Sequence, residues 1–354
     1  MKKYVLLALV LGLSFLLFSC SKKISSQKSG HITILYSGNV GGEIDTCGCR
    51  IPRGGMAKRA TFIKQQKEKY PNALILDSGA LLFDKIKLTK NFQANSLRKA
   101  ALTLDIVKKI GIDAANVSAR DLANTADSLV ALKERGLPWL SANIAWKSSG
   151  KLIFAPDMIK TVDNFQVGIF GFMDQTTSGI PFFDESSPIK VLDPKEAVRK
   201  EIEKLRKNSD VVIALAYMNM DRVQQLLKEI PEGPDLVIVS HTGEHLGETE
   251  HAFYIPLKTG KTLLARCPDA GGVMGVLELN VQNGLTDFMD AYKVRDLRPE
   301  EVKKTEKNTT IVSTWVNNFY DLDYQIPRDK AIQARVDSVM KLNEDFIKKI
   351  TPDK

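Results

Sequence analysis

The sequence predicts an α/β layered fold with a helical C-terminal extension and a targeting segment in front. Three observations carry that prediction. From His31 onward, short β-branched runs alternate with amphipathic helical stretches. The strand-like runs end in small or polar residues, which places function at the C-terminal ends of the strands. Finally, 354 residues that are 44% hydrophobic and 26% charged supply a large core, which excludes disordered, collagen-like and disulfide-dense chains.

The first element is the targeting segment. Lys2 and Lys3 precede an apolar run, Tyr4–Phe18, broken only by Gly12 and Ser14 and ending at Ser19–Cys20. A basic start, about 15 apolar residues and a small residue before the break fit a secretory signal. The run is short of the roughly 20 residues that a span needs, and no other stretch is apolar for long. Leu17-Phe18-Ser19-Cys20 resembles the lipobox of bacterial lipoproteins. That resemblance implies removal of residues 1–19 and lipidation of Cys20. Residues 20–30 then form a flexible tether with Lys22, Lys23 and Lys28. Ser21 is not the aspartate that retains enteric lipoproteins at the inner membrane, so the resemblance points to the outer membrane or its periplasmic face. The formal charge of +8 is spread without a dense block, as on a basic surface near anionic lipid. Nothing resembles a nucleic-acid module, so no nucleic-acid partner is expected.

The strands and helices follow in order. Strands are expected at Ile32–Tyr36, Ala73–Leu76, Ala114–Val117, Trp139–Ala142, Gln166–Phe172, Asp210–Ala216, Leu236–Ser240, Thr262–Arg266 and Val273–Val281. Helices are expected at Met56–Lys69, Ser96–Ile110, Ala123–Arg135, Pro194–Asn208 and Asp221–Glu229. After Pro299 the pattern turns helical. Ile311, Val312, Trp315, Val316 and Phe319 form a stripe over Thr310–Tyr320, and Ala331–Ile350 repeats apolar residues every three or four positions. Residues 299–354 are thus expected as a helical extension that packs on the core or on an envelope partner.

Six segments in sequence order resemble the catalytic domain of the secreted 5′-nucleotidases, among the calcineurin-like metallophosphoesterases. They are the strand and turn Ile32–Gly42, the helix start Gly54–Ala60, Leu74–Ala80, the stretch from Gly111 through Ser118–Asp121, the pair Leu140–Ile144 with Val167–Gly171, and Asp235–Thr242. The resemblance implies a four-layer metallophosphoesterase-like sandwich over residues 31–298. Too few residues follow 298 for the substrate-binding domain of full-length members.

The resemblance also implies two metal ions, bridged by an aspartate and held by histidines, a second aspartate and an asparagine, which clamp phosphate and generate hydroxide. The corresponding positions here are Asn39, Gly41, Ala80, Ala119, Arg120 and Tyr217, with His241 retained and Gly243 in place of its partner. Alanine cannot bridge two cations, so the usual two-metal centre is expected to be absent.

Cys47-Gly48-Cys49 and Cys267 are the remaining distinctive groups. With Cys20 lipidated, an odd three thiols remain. Three readings stay open. Cys267 forms a disulfide with a loop cysteine, leaving a spare thiol. Alternatively Cys47, Cys49, Cys267 and His241 hold a single thiolate-bound metal such as zinc. Or one thiol is reactive, activated by Arg50 and Arg53. Glu43, Asp45 and the acidic stretch from His241 to His251 read as solvated loops, and Phe182–Phe183 as a packed loop. The functional expectation is an envelope-anchored, non-catalytic or repurposed binding protein. The alternatives are a divergent nucleotide phosphohydrolase or a thiol redox or metal-binding protein.

Overall fold

The computed structural model describes residues 28–48, 50–123, 125–177, 179–240, 257–259, 261–267, 271–291 and 312–350. The signal segment, Cys20 and most of the tether lie outside them, as does the charged stretch expected after Pro299.

Strand β1 (Gly30–Ser37) shows why two sheets stack. Ile32, Ile34 and Tyr36 point to one side and Leu35 to the other, and all four are fully buried. The first side meets Ile169, Ile213 and Ile238 of a second sheet, so an apolar layer fills the space between the sheets. Leu35 instead packs on Phe62 and Ile63 of helix α1 (Met56–Lys69).

The first sheet holds β2 (Leu74–Asp77), β3 (Ala114–Asn116) and β4 (Trp139–Leu140), parallel to β1 and to one another. The second is built on β5 (Asp157–Val162), β6 (Phe165–Met173), β7 (Val211–Tyr217), β8 (Leu236–Ser240), β9 (Leu257–Thr259) and β10 (Thr262–Arg266). Its order is β9-β10-β8-β7-β6-β5, with β10, β8, β7 and β6 parallel. Strand β11 (Val273–Val281) returns antiparallel to β1. Helices α1 and α2 (Gln93–Ile110) cover the first sheet, with α3 (Thr125–Glu134) following β3 in the chain. The second is covered by α4 (Pro194–Leu205) and α5 (Met220–Glu229), through Val198, Ile202 and Leu226. The architecture is a four-layer α-β-β-α sandwich. Asp193 and Asn219 cap α4 and α5 by accepting from Lys195 N and Asp221 N, each worth about 1 kcal/mol.

One expectation is corrected. Thr310–Tyr320 was expected as helix; Thr314–Asp321 is instead strand β13, antiparallel to β11. A two-residue strand, β12 (Met289–Asp290), then flanks β13 and completes the order β12-β13-β11-β1-β2-β3-β4. Apolar residues at 312, 315, 316 and 319 suit a helical stripe, but aromatic and β-branched content suits a strand. The edge of β11 decides, since its open N–H and C=O groups need partners. In that register Trp315 and Phe319 join the inter-sheet core, and the Tyr320 ring on the opposite face lies 5.3 Å from that of Phe62, tilted by 44°. Helix α6 (Lys330–Ile350) forms as expected and packs on α1 and α2 of its own chain through buried Ile332 and Val336. The extension is therefore strand, then helix.

On α4, Glu201 is 2% exposed and faces Asp157 at the start of β5. Lys204 Nζ lies 2.5 Å from Asp157 Oδ2 and 3.8 Å from Glu201 Oε2. Burial, and then the neighbouring Asp157, raise Glu201 from 4.5 to about 7. The folded chain thus holds a proton that the unfolded chain releases, so this contribution is full below pH 4.5 and lost as pH rises through 7. Urea melts at pH 5 and pH 8 should show the loss, and Glu201→Gln should reduce that difference. An unchanged pH dependence in the variant would remove Glu201 as its source.

Candidate functional site

The parallel strands of both sheets end on one edge, at Ser37, Asp77, Asn116, Tyr217 and Ser240, with Cys267 following β10. Polar groups stitch the two sheets there. Ser240 Oγ donates to Ser78 O at 2.8 Å, and Asn116 Nδ2 donates to Ser78 O at 3.1 Å and Phe172 O at 2.9 Å. Space is tight: a Cβ on Gly38 would come within 2.6 Å of Ser78 Oγ and 3.1 Å of Cys267 Sγ.

Two turns leave this edge and zip together. Asn39 N donates to Gly79 O, Gly41 N to Ala80 O and Gly42 N to Leu81 O, at 2.9, 2.7 and 3.0 Å. Asn39 and Ala80 adopt φ of 55° and 60°. For alanine that left-handed backbone costs roughly 1–2 kcal/mol, so its surroundings must hold it. Asp121 does so. Its Oδ1 accepts from Leu81 N and Leu82 N, both at 2.9 Å. Its Oδ2 accepts from Ala80 N at 3.0 Å and Ser118 Oγ at 2.6 Å. Complete burial pushes the Asp121 carboxyl up, and these bonds oppose the shift.

Asp77 is the second buried acid. It accepts from Ser37 Oγ at 2.6 Å and Gly79 N at 3.0 Å, yet burial raises it to about 7. The buried Arg59 guanidinium opposes that rise and itself donates to Gly271 O at 3.4 Å. Neighbouring Lys58 reaches Pro52 O and Leu322 O at 3.1 and 3.3 Å. The basic pair in Gly54–Ala60 therefore ties loops together, a role the sequence reading missed. The bracket by Asp121 was missed too, although Ser118-Ala119-Arg120-Asp121 has the spacing of a reciprocal capping pair.

Of the singled-out residues, the structure gathers Asn39, Gly41, Ala80 and Ala119–Asp121 around this double turn. Tyr217 stands beside it: a Cβ on Gly79 would lie 3.5 Å from Tyr217 Cβ. Burial pushes the Tyr217 phenol up to about 12, and the half-buried Arg120 opposes the rise. The Tyr217 ring is 6.0 Å from that of Phe182. His241, Gly243 and Cys49 lie outside the described residues. Cys47 is disulfide-bonded, and its partner is likewise outside them. Cys267 is a buried thiol outside any disulfide, with Sγ 3.1 Å from Ser78 Oγ. A Cys47–Cys267 disulfide, and a metal site using both thiolates, are therefore not formed, because the Cys47 sulfur is already bonded.

No family model matches the chain. Bovine 5′-nucleotidase is 29% identical over 203 residues, covering 54% of this chain and 33% of that protein. A 5′-nucleotidase precursor from Thermus thermophilus superposes with TM-score 0.66 at 17% identity, over 88% of this chain and 59% of that one. The calcineurin-like phosphoesterase YfkN from Bacillus subtilis gives 0.65 at 16% identity, over 91% and 100%. The chain shares the fold of these two proteins. It spans about a third of the length of the curated relatives it matches.

The described donors do not fit the family's two-metal centre. Among the described residues no three His, Cys, Asp or Glu side chains are placed to hold a metal ion. The two buried carboxylates of the cleft already bind backbone and hydroxyl donors.

Two outcomes follow for this edge. Asp121→Ala strands three successive buried N–H groups, at about 1–3 kcal/mol each, so urea unfolding should show a loss of at least about 3 kcal/mol. Asp121→Asn keeps an acceptor and should lose less; equal losses would discount the bracket. Peptide mapping after thiol labelling should leave Cys267 unmodified in the native protein and modified in denaturant. Native labelling of Cys267 would contradict its burial.

Proposed function

We propose that this chain is an envelope-anchored metallophosphoesterase-like lipoprotein whose two-metal site is lost and which acts by binding rather than hydrolysis. The observation that carries the reading is Ala80. It occupies the position that the resemblance assigns to the bridging aspartate, is 0% exposed, and sits in a strained turn with its N–H held by Asp121 Oδ2 and Ser118 Oγ. Asn39, Gly41, Ala119, Arg120 and Tyr217 stand at the other ligand positions, and Phe182 packs against Tyr217. Cys20 carries the lipid in this reading, and no described helix is long and apolar enough to cross a membrane. An envelope protein partner would meet α6 at the exposed Leu342.

The family relatives favour hydrolysis as the second reading, since they are named 5′-nucleotidases. Purified mature protein should therefore be assayed against nucleotides and an aryl phosphate with manganese or zinc, alongside metal analysis. The proposal expects no turnover above a no-enzyme control and no stoichiometric metal. Turnover that disappears in His241→Ala would overturn it in favour of a divergent phosphohydrolase.

A further inference from the structure

The four cysteines of the chain are Cys20, Cys47, Cys49 and Cys267. Cys47 is disulfide-bonded, and Cys267 is a buried thiol outside any disulfide. The partner of Cys47 is therefore Cys20 or Cys49. Cys20 carries the lipid in the proposed function, and a lipidated sulfur cannot also enter a disulfide. The choice of Cys49, two positions from Cys47, rests on that reading.

Such a bond differs from a structural cross-link. Disulfide-bonded residues have Cα atoms about 5.5–6 Å apart, whereas two extended residues span about 7 Å, so the chain must bend at residue 48. That residue is glycine, which bends without a Cβ penalty. A Cβ on Gly48 would meet nothing within 4 Å, Cys47 is half-buried, and Gly48 and Arg50 are exposed. The ring would close over residues 47–49 and tie no two elements together. A disulfide stabilises most when it closes a long loop of the unfolded chain, so this one adds little to the fold. Exposed disulfides are the labile ones.

The frame around Cys47 is fixed. Cys47 N donates to Arg53 O and Gly54 N to Leu322 O, both at 2.9 Å, and Lys58 Nζ holds Pro52 O at 3.1 Å. In return Arg53 N donates to Cys47 Sγ at 3.5 Å. A hydrogen bond to sulfur favours the thiolate, which makes Cys47 the better leaving group of the pair.

We propose that Cys47 and Cys49 form a thiol–disulfide exchange site that accepts two electrons from a dithiol. A thiolate of the dithiol attacks Cys49 Sγ and forms a mixed disulfide, the Cys47–Cys49 bond breaks, and Cys47 leaves as a thiolate held by Arg53 N. The second thiol of the dithiol loses its proton to solvent and attacks the dithiol sulfur of the mixed disulfide. Cys49 then leaves as a thiolate and the dithiol as a disulfide. The dithiol is oxidised by two electrons, and the cysteine pair is reduced by two.

Peptide mapping and glutathione treatment of the full mature protein test the assignment. Cleavage after Lys28 and Arg50 keeps both cysteines in one peptide, 29–50. That peptide should be lighter by two hydrogens than its reduced form and linked to no other. In native buffer, millimolar reduced glutathione should reduce most of the pair, whereas a structural disulfide resists that reductant. The mixed disulfide trapped in acid should carry glutathione on Cys49, and reduced and oxidised protein should unfold at nearly the same urea concentration. A Cys47–Cys20 link overturns the proposal together with the lipid assignment. A lipid-free Cys20 beside a Cys47–Cys49 bond supports the proposal and overturns the lipid assignment alone. A pair that stays oxidised in glutathione, glutathione found on Cys47, or a marked fall in the urea midpoint on reduction overturns the exchange site.

Discussion

The Asp121 carboxylate accepts from three consecutive backbone N–H groups, and much of the cleft depends on that arrangement. Residues 80–82 leave β2 through a turn that alanine disfavours, and their N–H groups have no sheet partner there. Buried donors without acceptors are costly, and a carboxylate that accepts several at once removes the cost in one stroke. The same turn then presents its carbonyls to Asn39, Gly41 and Gly42. One side chain on the loop after β3 thereby sets the path of the loops after β1 and β2. The burial that raises its pKa is the penalty for placing this anchor inside the protein rather than at its surface.

Across the inter-sheet seam, geometry and residue size work together. Ser78 is the hub: its carbonyl accepts from Asn116 and Ser240, and its hydroxyl meets Cys267. Gly38 has no room for a side chain beside that hub. Small side chains let the strand ends of the two sheets approach until their polar groups bond directly. A larger residue at Gly38 would have to push Ser78 aside, and interiors packed at crystal-like density resist such movement.

The sequence showed the layers because the apolar pattern of each buried strand is strong. Val273–Val281 and Leu236–Ser240 are nearly continuous apolar runs, and their bounds were read correctly. Residues 314–321 were misread because Val312, Trp315, Val316 and Phe319 fit both periods; only the unpartnered edge of β11, a feature of tertiary structure, separates them. For the same reason the helix start Gly54–Ala60 did not reveal the roles of Lys58 and Arg59. Their burial depends on carbonyls at positions 52, 271 and 322, which are distant in sequence. The family ligand positions were legible as a pattern, and the structure brings the described ones to one edge. What occupies that edge was not legible. The roles of Asp121 and Asp77 there come from backbone donors, and sequence carries no direct mark of where backbone N–H groups will point.

A metal centre does more than chemistry, because ligands drawn from several strand ends bind those ends together, and its binding free energy is then folding free energy. A chain that dispenses with the centre must hold the same ends by other means. On the proposed reading, this cleft does so with amide, hydroxyl and carboxylate groups that reach backbone atoms rather than ions. Asn116 spans the two sheets, Ser240 ties β8 to the turn after β2, and Asp121 ties that turn to the loop after β3. Such bonds need no cofactor, and each is satisfied from within the chain. On the same reading, the strained φ of Ala80 is backbone geometry shaped for a carboxylate and kept without one, because the Asp121 and Ser118 oxygens that accept from its N–H belong to the fold and not to the metal.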